Sequence, residues 1–273
     1  QVYKKLDVGT AKPDKEFCKK IPHHLIDLFD YKTQVSVADF VNLADEKVSE
    51  INARGKIPVV AGGTGFYIRS FLMGLPSTPE SDEKIRNELK KRIEIEGNEK
   101  LYTELLEKDS ESAKVIHKND GYRIVRALEV FYTTGKPRSS FSLPNAFREK
   151  FNFLPIILEP PRDLLFKRIE ERVDLMFEMG LEKEVRNLIL EGAKKEDPGM
   201  QAIGYREFFM SDDIEEVRRL IKRDTQKYAK KQYTYIRDLP IPDKNIIPFT
   251  GTAEDIETVK NTISNFILND SVV

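Results

Sequence analysis

The feature that most constrains the fold is the segment IPVVAGGTGFYIR, residues 57 to 69. An apolar run there enters a glycine loop, Gly62–Gly65, and a pattern compatible with a helix leaves it, which predicts a strand, a loop and a helix. Residues 36–54 before it have apolar residues at helical spacing, with Ser36 and Asp39 as a start box. Alternation of helices and strands is typical of an α/β protein. No lysine follows the glycines, so this loop is not a Walker loop.

The segment that follows has a different character. It is charged and helical in period, with interruptions at Gly97-Asn98 and at 119–121, and we predict an all-helical insertion domain over 77–135. The α/β core would then comprise 1–76 and 136–273. In its second part we predict a strand over 153–158 and helices over 162–179, 181–191, about 203–210 and 214–237.

Composition restricts the class of protein. Of the 273 residues, 40% are apolar and 33% charged, which favours a globular, soluble chain over a disordered one. No apolar run approaches the roughly 20 residues that span a bilayer, and no signal peptide is seen at the start. The single cysteine, Cys18, excludes an internal disulfide framework and fits a reducing compartment. We therefore expect a cytoplasmic protein that does not bind membranes.

The charge is unevenly distributed, although the net charge is only −1. Between Arg218 and Arg237, a segment we call the basic stripe, eight basic residues accompany one acid, Asp224. A local concentration of positive charge indicates a site for a polyanion. The alternative is a solvated face of a helix.

Two further groups of residues suit phosphate chemistry. Arg168 and Arg172 lie four residues apart on one predicted helix, with Arg162 a turn and a half earlier, and guanidinium groups match diphosphate oxygens. Pairs with acidic residues of the same helix are the alternative. In QAIGYREFF, residues 201–209, Gly204 permits close approach and Arg206 supplies a fixed charge. Taken alone, this segment is consistent with either a helix cap or a ligand-binding site.

Other chemistries have little support. His23 and His24 are adjacent, so on an extended segment they point to opposite sides, and we predict no metal site of protein ligands. No Gly-x-Ser-x-Gly segment occurs, and nothing recognisable activates Cys18, so acyl transfer is not indicated.

Taken together, several segments resemble those of tRNA dimethylallyltransferases, in order and in rough spacing. They are QVYKKLDVGTAKP, PHHLID, SVADF, VVAGGTGFY, RIVRALEV, PRDLLFKRIEERVDLM, MQAIGYRE and YAKKQYTYIR. The resemblance implies a P-loop, nucleotide-kinase-like parallel sheet core that carries the helical insertion. It also implies transfer of a dimethylallyl group from dimethylallyl diphosphate to the N6 amine of the tRNA adenosine 3′ to the anticodon, with release of diphosphate.

The chain departs from the family pattern at several points. The family's Walker-type, ATP-binding-like loop and its general-base aspartate would precede Gln1, so we expect half of the active site before this residue. Gln226 stands where arginine is usual, Tyr235 where tryptophan is usual, and Tyr122 where glutamine is common. These differences bear on individual contacts.

The resemblance also assigns roles to individual residues. Thr64 would hold the target adenine on the loop of Gly62, Gly63 and Gly65, and a threonine hydroxyl can both donate and accept. Arg206, with Arg168 and Arg172, would bind the diphosphate together with Mg²⁺. The implied contacts to the tRNA anticodon stem-loop are Gln1, Arg86, Tyr122, Arg123, Arg126, Thr225, Lys227 and Lys230. The insertion domain would hold the tRNA, and we expect the enzyme to be a monomer.

Three alternatives remain at this point. One is an adenylate isopentenyltransferase that acts on a free nucleotide, although the basic stripe and the insertion favour a polynucleotide. Another is a small-molecule kinase with the same fold. The third is a catalytically incomplete fragment that only binds RNA.

Overall fold

The computed structural model describes residues 1–241 and 244–270, and most of them are helical. Two parallel strands occur in this part of the chain, β1 (Ile156–Glu159) and β2 (Asn245–Pro248), with Ile156 opposite Asn245 and Glu159 opposite Pro248. The α-helices are α1 Lys15–Lys20, α2 Val37–Ala53, α3 Gly65–Met73, α4 Glu83–Glu96, α5 Asn98–Lys108, α6 Ser110–Val115, α7 Gly121–Thr134, α8 Arg162–Glu178, α9 Leu181–Leu190, α10 Ile214–Asp238 and α11 Ala253–Asp270.

The predicted α/β class is confirmed, but the strand predicted over 57–61 is wrong. These residues belong to no strand, and the side chains of Ile57 and Val59 are 61% and 82% exposed. Backbone hydrogen bonds to a neighbour define a strand, and among the described residues β1 and β2 pair only with each other. The strand predicted over 153–158 forms in its second half as β1. β2 was not predicted.

Local sequence signals account for the long helices. The predicted helices over 36–54, 162–179, 181–191 and 214–237 are confirmed as α2, α8, α9 and α10. At the start of α2, the Ser36 hydroxyl accepts the Asp39 N–H at 3.1 Å, and the Asp39 carboxylate accepts the Ser36 N–H at 2.8 Å. The helix predicted over 203–210 is wrong. Gly204 has a φ of +100°, outside the α-helical region, and only a 3₁₀ turn, Arg206–Phe209, follows it.

The chain divides into two compact units, one of residues Gln1–Met73 with Ala146–Val273 and one of Gly74–Asn145. We call the second the helical unit. It contains α4 to α7 around a core that includes Leu101, Leu105 and Leu128. The sequence placed an insertion domain at 77–135, and its role in tRNA binding stays a prediction.

The core of the first unit determines where the site residues lie. Leu181 and Val185 of α9, Ile221 of α10, and the loop residue Tyr205 pack together with Leu6 near the start of the chain. The segment of residues 1–13 that ends in GTAKP, called the GTAKP segment below, and the GYRE segment, residues 204–207, are therefore anchored on the same core. No helix among the described residues is long and apolar enough to cross a membrane.

Candidate active site

A single carboxylate joins the GTAKP segment to the GYRE segment. Glu184 of α9 accepts the backbone N–H groups of Val8 at 2.9 Å and Asp7 at 3.2 Å. Its other oxygen accepts the Tyr205 hydroxyl at 2.6 Å. We call this group of contacts the Glu184 junction. Because a carboxylate binds N–H and O–H donors more strongly than a neutral acceptor does, the junction fixes the two segments relative to each other.

Close packing at this junction explains two glycines. A Cβ atom at Gly9 would lie 2.6 Å from the Tyr205 ring, and one at Gly204 would lie 3.4 Å from the Gly9 carbonyl oxygen. Tyr205 is fully buried, and burial, followed by its hydrogen bond to Glu184, raises the pKa of its hydroxyl well above the usual value. The hydroxyl is therefore a permanent donor to Glu184.

Side chains from its own neighbourhood also hold the GTAKP segment. The Gln1 side-chain amide donates to the carbonyl oxygens of Thr10 at 2.9 Å and Ala11 at 3.2 Å. The Lys12 ammonium, whose side chain is nearly buried, contacts Asp7 at 2.7 Å. Gln1, a predicted tRNA contact, thus has a structural role in this loop.

Arg206, the predicted diphosphate ligand, is held by two carboxylates. Its Nε donates to Glu207 at 2.9 Å, and its Nη2 donates to Asp224 of α10 at 3.1 Å. Glu207 also accepts the Gly204 N–H at 2.8 Å. The pKa of Asp224 is lowered by its hydrogen bond from Arg223, against the opposing effect of desolvation, and further by Arg206. Arg206 is therefore a fixed, partly exposed cation.

The other predicted diphosphate ligands lie on α8. Arg168 donates to the Thr250 carbonyl oxygen in the loop after β2, so it connects α8 to this loop. Arg172 is exposed. Asp174, an acid of the same helix, pairs with Lys222 of α10 at 2.7 Å. The pairing of these arginines with acids of their own helix does not occur among the described residues.

The glycine loop before α3 presents Thr64 at the surface. The Thr64 carbonyl oxygen accepts the N–H groups of Tyr67 at 2.9 Å and Ile68 at 3.1 Å, as a residue that starts a helix does. Its hydroxyl makes no hydrogen bond within the described part of the chain. Thr64 therefore has a free donor and acceptor, which its predicted role requires.

The neighbouring glycines make room for α10. Gln232 donates to the Gly63 carbonyl oxygen at 2.8 Å, and a Cβ atom at Gly63 would lie 2.1 Å from the Gln232 amide. A Cβ atom at Gly65 would lie 2.2 Å from the Tyr235 ring. At these two positions, the glycines therefore leave space for side chains of α10. Open space surrounds Gly62.

Helix α10 thus supports both halves of the candidate site. Asp224 fixes Arg206, and Gln232 fixes the loop of Thr64. Eight residues separate these two anchors, or about 12 Å along a helix. The cation and the loop hydroxyl are consequently held by one rigid element.

Two of the predicted tRNA contacts are used inside the helical unit. Glu129, whose side chain is fully buried, pairs with Arg86 at 3.1 Å and with Arg126 at 2.9 Å. It also accepts the Asp82 N–H at 2.9 Å. These two arginines compensate a buried charge, whatever else they contact.

The remaining predicted contacts of the helical unit lie at its surface. Tyr122 is 71% exposed, and Arg123 is exposed with a 3.4 Å pair to Asp120. Both stand in the first turn of α7. An exposed tyrosine beside an arginine is a common surface for stacking and phosphate contact.

The basic stripe on α10 is partly neutralised. Five of its cations, Arg218, Arg219, Lys222, Arg223 and Arg237, pair with carboxylates at 3.3 Å or less. Lys227 has only a 3.9 Å pair with Asp224, and Lys230 lies over the Phe166 ring, 5.4 Å from its centroid. Thr225 is half-buried. Lys227 and Lys230, both exposed, are therefore better placed to bind an external anion than the paired cations.

The residues that position this site were missed in the sequence. Glu184 is a common residue type without an unusual local pattern, whereas Glu207 and Gln232 lie within the quoted segments MQAIGYRE and YAKKQYTYIR. Asp224 did give a signal, since it is the one acid within the basic stripe.

The expected Mg²⁺ stays a prediction. Among the residues that the structure describes, no group of three or more His, Cys, Asp or Glu side chains could hold a metal ion.

Comparisons with known proteins show which proteins this chain resembles. The family described as "IPP transferase" matches residues 1–239. A tRNA dimethylallyltransferase of Geobacter metallireducens is 43% identical over 87% of this chain and 78% of its own length, and one of a Sulfurihydrogenibium species is 44% identical over the same shares. The crystal structure of the tRNA isopentenylpyrophosphate transferase of Bacillus halodurans has a TM-score of 0.66 and 34% identity, covering 98% of this chain and 84% of that one. A eukaryotic dimethylallyltransferase described as acting on tRNA has a TM-score of 0.81 and 27% identity, covering 98% of this chain and 71% of its own.

Proposed function

The chain belongs to the IPP transferase family, and on this premise we propose that it is a prenyltransferase that modifies tRNA. The donor would be dimethylallyl diphosphate, and the acceptor the N6 amine of the adenosine 3′ to the anticodon. The amine lone pair attacks the allylic carbon, the carbon–oxygen bond to the diphosphate breaks, and a base removes the proton from the amine. The observation that carries the proposal is the support of Arg206 and Thr64 by one helix, α10.

The donor side of the proposal depends on Arg206. Diphosphate gains negative charge as it leaves, and a fixed cation stabilises this charge without the cost of reorganisation. Arg206 meets this requirement because Glu207 and Asp224 already hold its guanidinium. Arg168 and Arg172 stay secondary candidates for the same role.

The acceptor side depends on the loop of Thr64. An exocyclic amine of adenine is a weak nucleophile, so positioning must contribute much of the rate. The free hydroxyl of Thr64 can accept a hydrogen bond from this amine. The base must leave the stack of the anticodon loop to reach it, at a cost of a few kcal/mol.

The RNA would be bound by exposed groups on both units. We assign Lys227 and Lys230 of α10 to phosphate contacts, and Tyr122 and Arg123 of α7 to contacts with the anticodon stem-loop. Arg86 and Arg126 could contact tRNA only with those guanidinium N–H groups that do not bind Glu129. Gln1 and Thr225 stay predicted tRNA contacts.

Several finer points stay predictions. Binding of Mg²⁺ together with the diphosphate is one of them, and no step above depends on the ion. A monomeric state and a cytoplasmic location are likewise expected from the sequence.

Prenyl transfer tests the proposal directly. The purified protein, including the segment that we expect before Gln1, is incubated with dimethylallyl diphosphate and an unmodified tRNA transcript that has adenosine 3′ to the anticodon. The nucleosides are then separated by mass. We expect a prenylated adenosine, and none from a transcript with guanosine at this position. Prenylation of free AMP in preference to the transcript would instead favour an adenylate isopentenyltransferase.

A further inference from the structure

The guanidinium of Arg206 is bound on one side only. Its Nε contacts Glu207 and its Nη2 contacts Asp224, at 2.9 and 3.1 Å. The side chain of Glu207 is fully buried and that of Asp224 is 9% exposed, whereas 35% of the Arg206 side chain remains accessible. The group is thus fixed from the protein side and open on the other.

A guanidinium has two edges that can each bind a pair of oxygens. Nε and Nη2 form one edge, and the two Nη atoms form the other. Glu207 and Asp224 occupy the first edge, and within the described residues Nη1 donates to no acceptor. The second edge is thus left for two oxygens of the diphosphate that the proposed function assigns to Arg206, and we infer that Asp224 and Glu207 are positioning residues that act through Arg206. This inference rests on the proposed function.

Charge alone predicts the opposite effect for Asp224. A carboxylate near an anion site repels the anion, so its neutralisation should strengthen diphosphate binding. If Asp224 acts by orienting Arg206, its neutralisation should weaken diphosphate binding, because a neutral acceptor holds a guanidinium less firmly than a charged one. The sign of the change therefore separates the two effects.

Asp224 is a better position for the test than Glu207. Glu207 also accepts the Gly204 N–H, so its replacement would disturb the loop itself. Asp224→Asn keeps the shape of the side chain. Asp174→Asn is a matched control. Asp174 of α8 pairs with Lys222 and Arg218 of α10, the helix that carries Asp224, and it does not contact Arg206 in the described structure.

Calorimetric titration with inorganic diphosphate measures the effect. For Asp224→Asn we expect the dissociation constant to rise about tenfold, equivalent to about 1.4 kcal/mol, while Asp174→Asn leaves it unchanged or lowers it. Arg206→Lys should weaken binding because lysine lacks the fork. Asp224→Asn added to Arg206→Lys should then cause no further loss, and tRNA affinity should not fall in Asp224→Asn.

Three results would overturn the inference. They are equal or tighter diphosphate binding by Asp224→Asn, a tenfold loss that persists in the Arg206→Lys background, and a parallel loss of tRNA affinity. Prenyl transfer by the wild-type protein is measured separately. A wild-type protein that binds diphosphate without transferring the prenyl group would overturn the proposed function alone.

Discussion

Replacement of Glu184 should release the GTAKP segment from the rest of the site. In Glu184→Gln, the single amide oxygen can accept either the Val8 N–H or the Tyr205 hydroxyl, whereas the carboxylate accepts both, at 2.9 and 2.6 Å. A hydrogen bond to a charged group contributes about 1.5–3 kcal/mol, and a neutral one about 1 kcal/mol. Loss of the charge together with one partner should therefore destabilise the junction by about 2 kcal/mol.

Hydrogen exchange followed by mass spectrometry measures this change locally. Each 1.4 kcal/mol lost from a local opening equilibrium raises the exchange rate tenfold, so residues 6–12 should exchange roughly 10- to 30-fold faster in Glu184→Gln. Glu182→Gln is the control, since Glu182 lies on the same helix and pairs only with Arg186, at the surface. Its exchange in residues 6–12 should equal that of the wild type.

The partner variant Tyr205→Phe tests whether the two groups act together. Alone it removes one buried hydrogen bond and should cost about 1–1.5 kcal/mol. In the Glu184→Gln background, its additional effect should be smaller, because the hydroxyl has already lost a charged acceptor. Unchanged exchange of residues 6–12 in Glu184→Gln, or fully additive effects of the two variants, would refute this account of the junction.

Further predictions concern other parts of the site. Thr64→Ala should lower turnover roughly 10- to 1000-fold with little change in Tm, whereas Thr64→Ser should keep most activity; a lower Tm at a normal single-turnover rate would make Thr64 a helix cap. Lys230→Ala should weaken tRNA binding and reduce by about one the slope of log affinity against log salt concentration. An unchanged tRNA affinity at low salt would mean that the basic stripe is only a solvated helix face. Glu129→Ala should destabilise the helical unit by about 3–5 kcal/mol, because two arginines lose their buried partner, which urea unfolding measures against Glu99→Ala as a surface control. The pKa of Glu96 is lowered to about 2 by Arg92 and then by Lys100. The ionised Glu96 therefore stabilises the folded state fully above its unfolded pKa of about 4.3, and this stabilisation is lost as pH falls towards 2. In Arg92→Gln, unfolding measured against pH should show a smaller loss of stability on acidification.

Prediction from the sequence succeeded where the signal is local. In α2, α8, α9 and α10, the helical spacing of apolar residues can be seen within the sequence of the helix itself, and α2 also has a start box. It failed at the strand over 57–61. The apolar run there has the composition of a strand, but a strand forms only if a segment distant in sequence pairs with it. It failed also at Gly204, whose positive φ ends any helix through the GYRE segment.

The same distinction holds for the site. Arg206 and Thr64 were assigned through the resemblance of their segments to a family, and their roles stay predictions. The residues that hold them are ordinary acids and amides, and their partners are remote: Glu184 is 176 residues from Val8, and Gln232 is 169 residues from Gly63. No short window contains both members of such a pair. Only the fold brings them together.

Arg86 and Arg126 show why an implied contact needs a structural test. Both were assigned to tRNA by resemblance, and both pair with the fully buried Glu129. A buried carboxylate without partners is costly, so the fold of the helical unit alone is sufficient reason for two arginines at these positions. Loss of tRNA binding in Arg86→Ala would therefore not identify a phosphate contact unless the unit keeps its stability. Tyr122 has no such obligation, since it is largely exposed, and Tyr122→Ala should weaken tRNA binding at unchanged Tm. A normal affinity in that variant would remove the first turn of α7 from the proposed RNA surface.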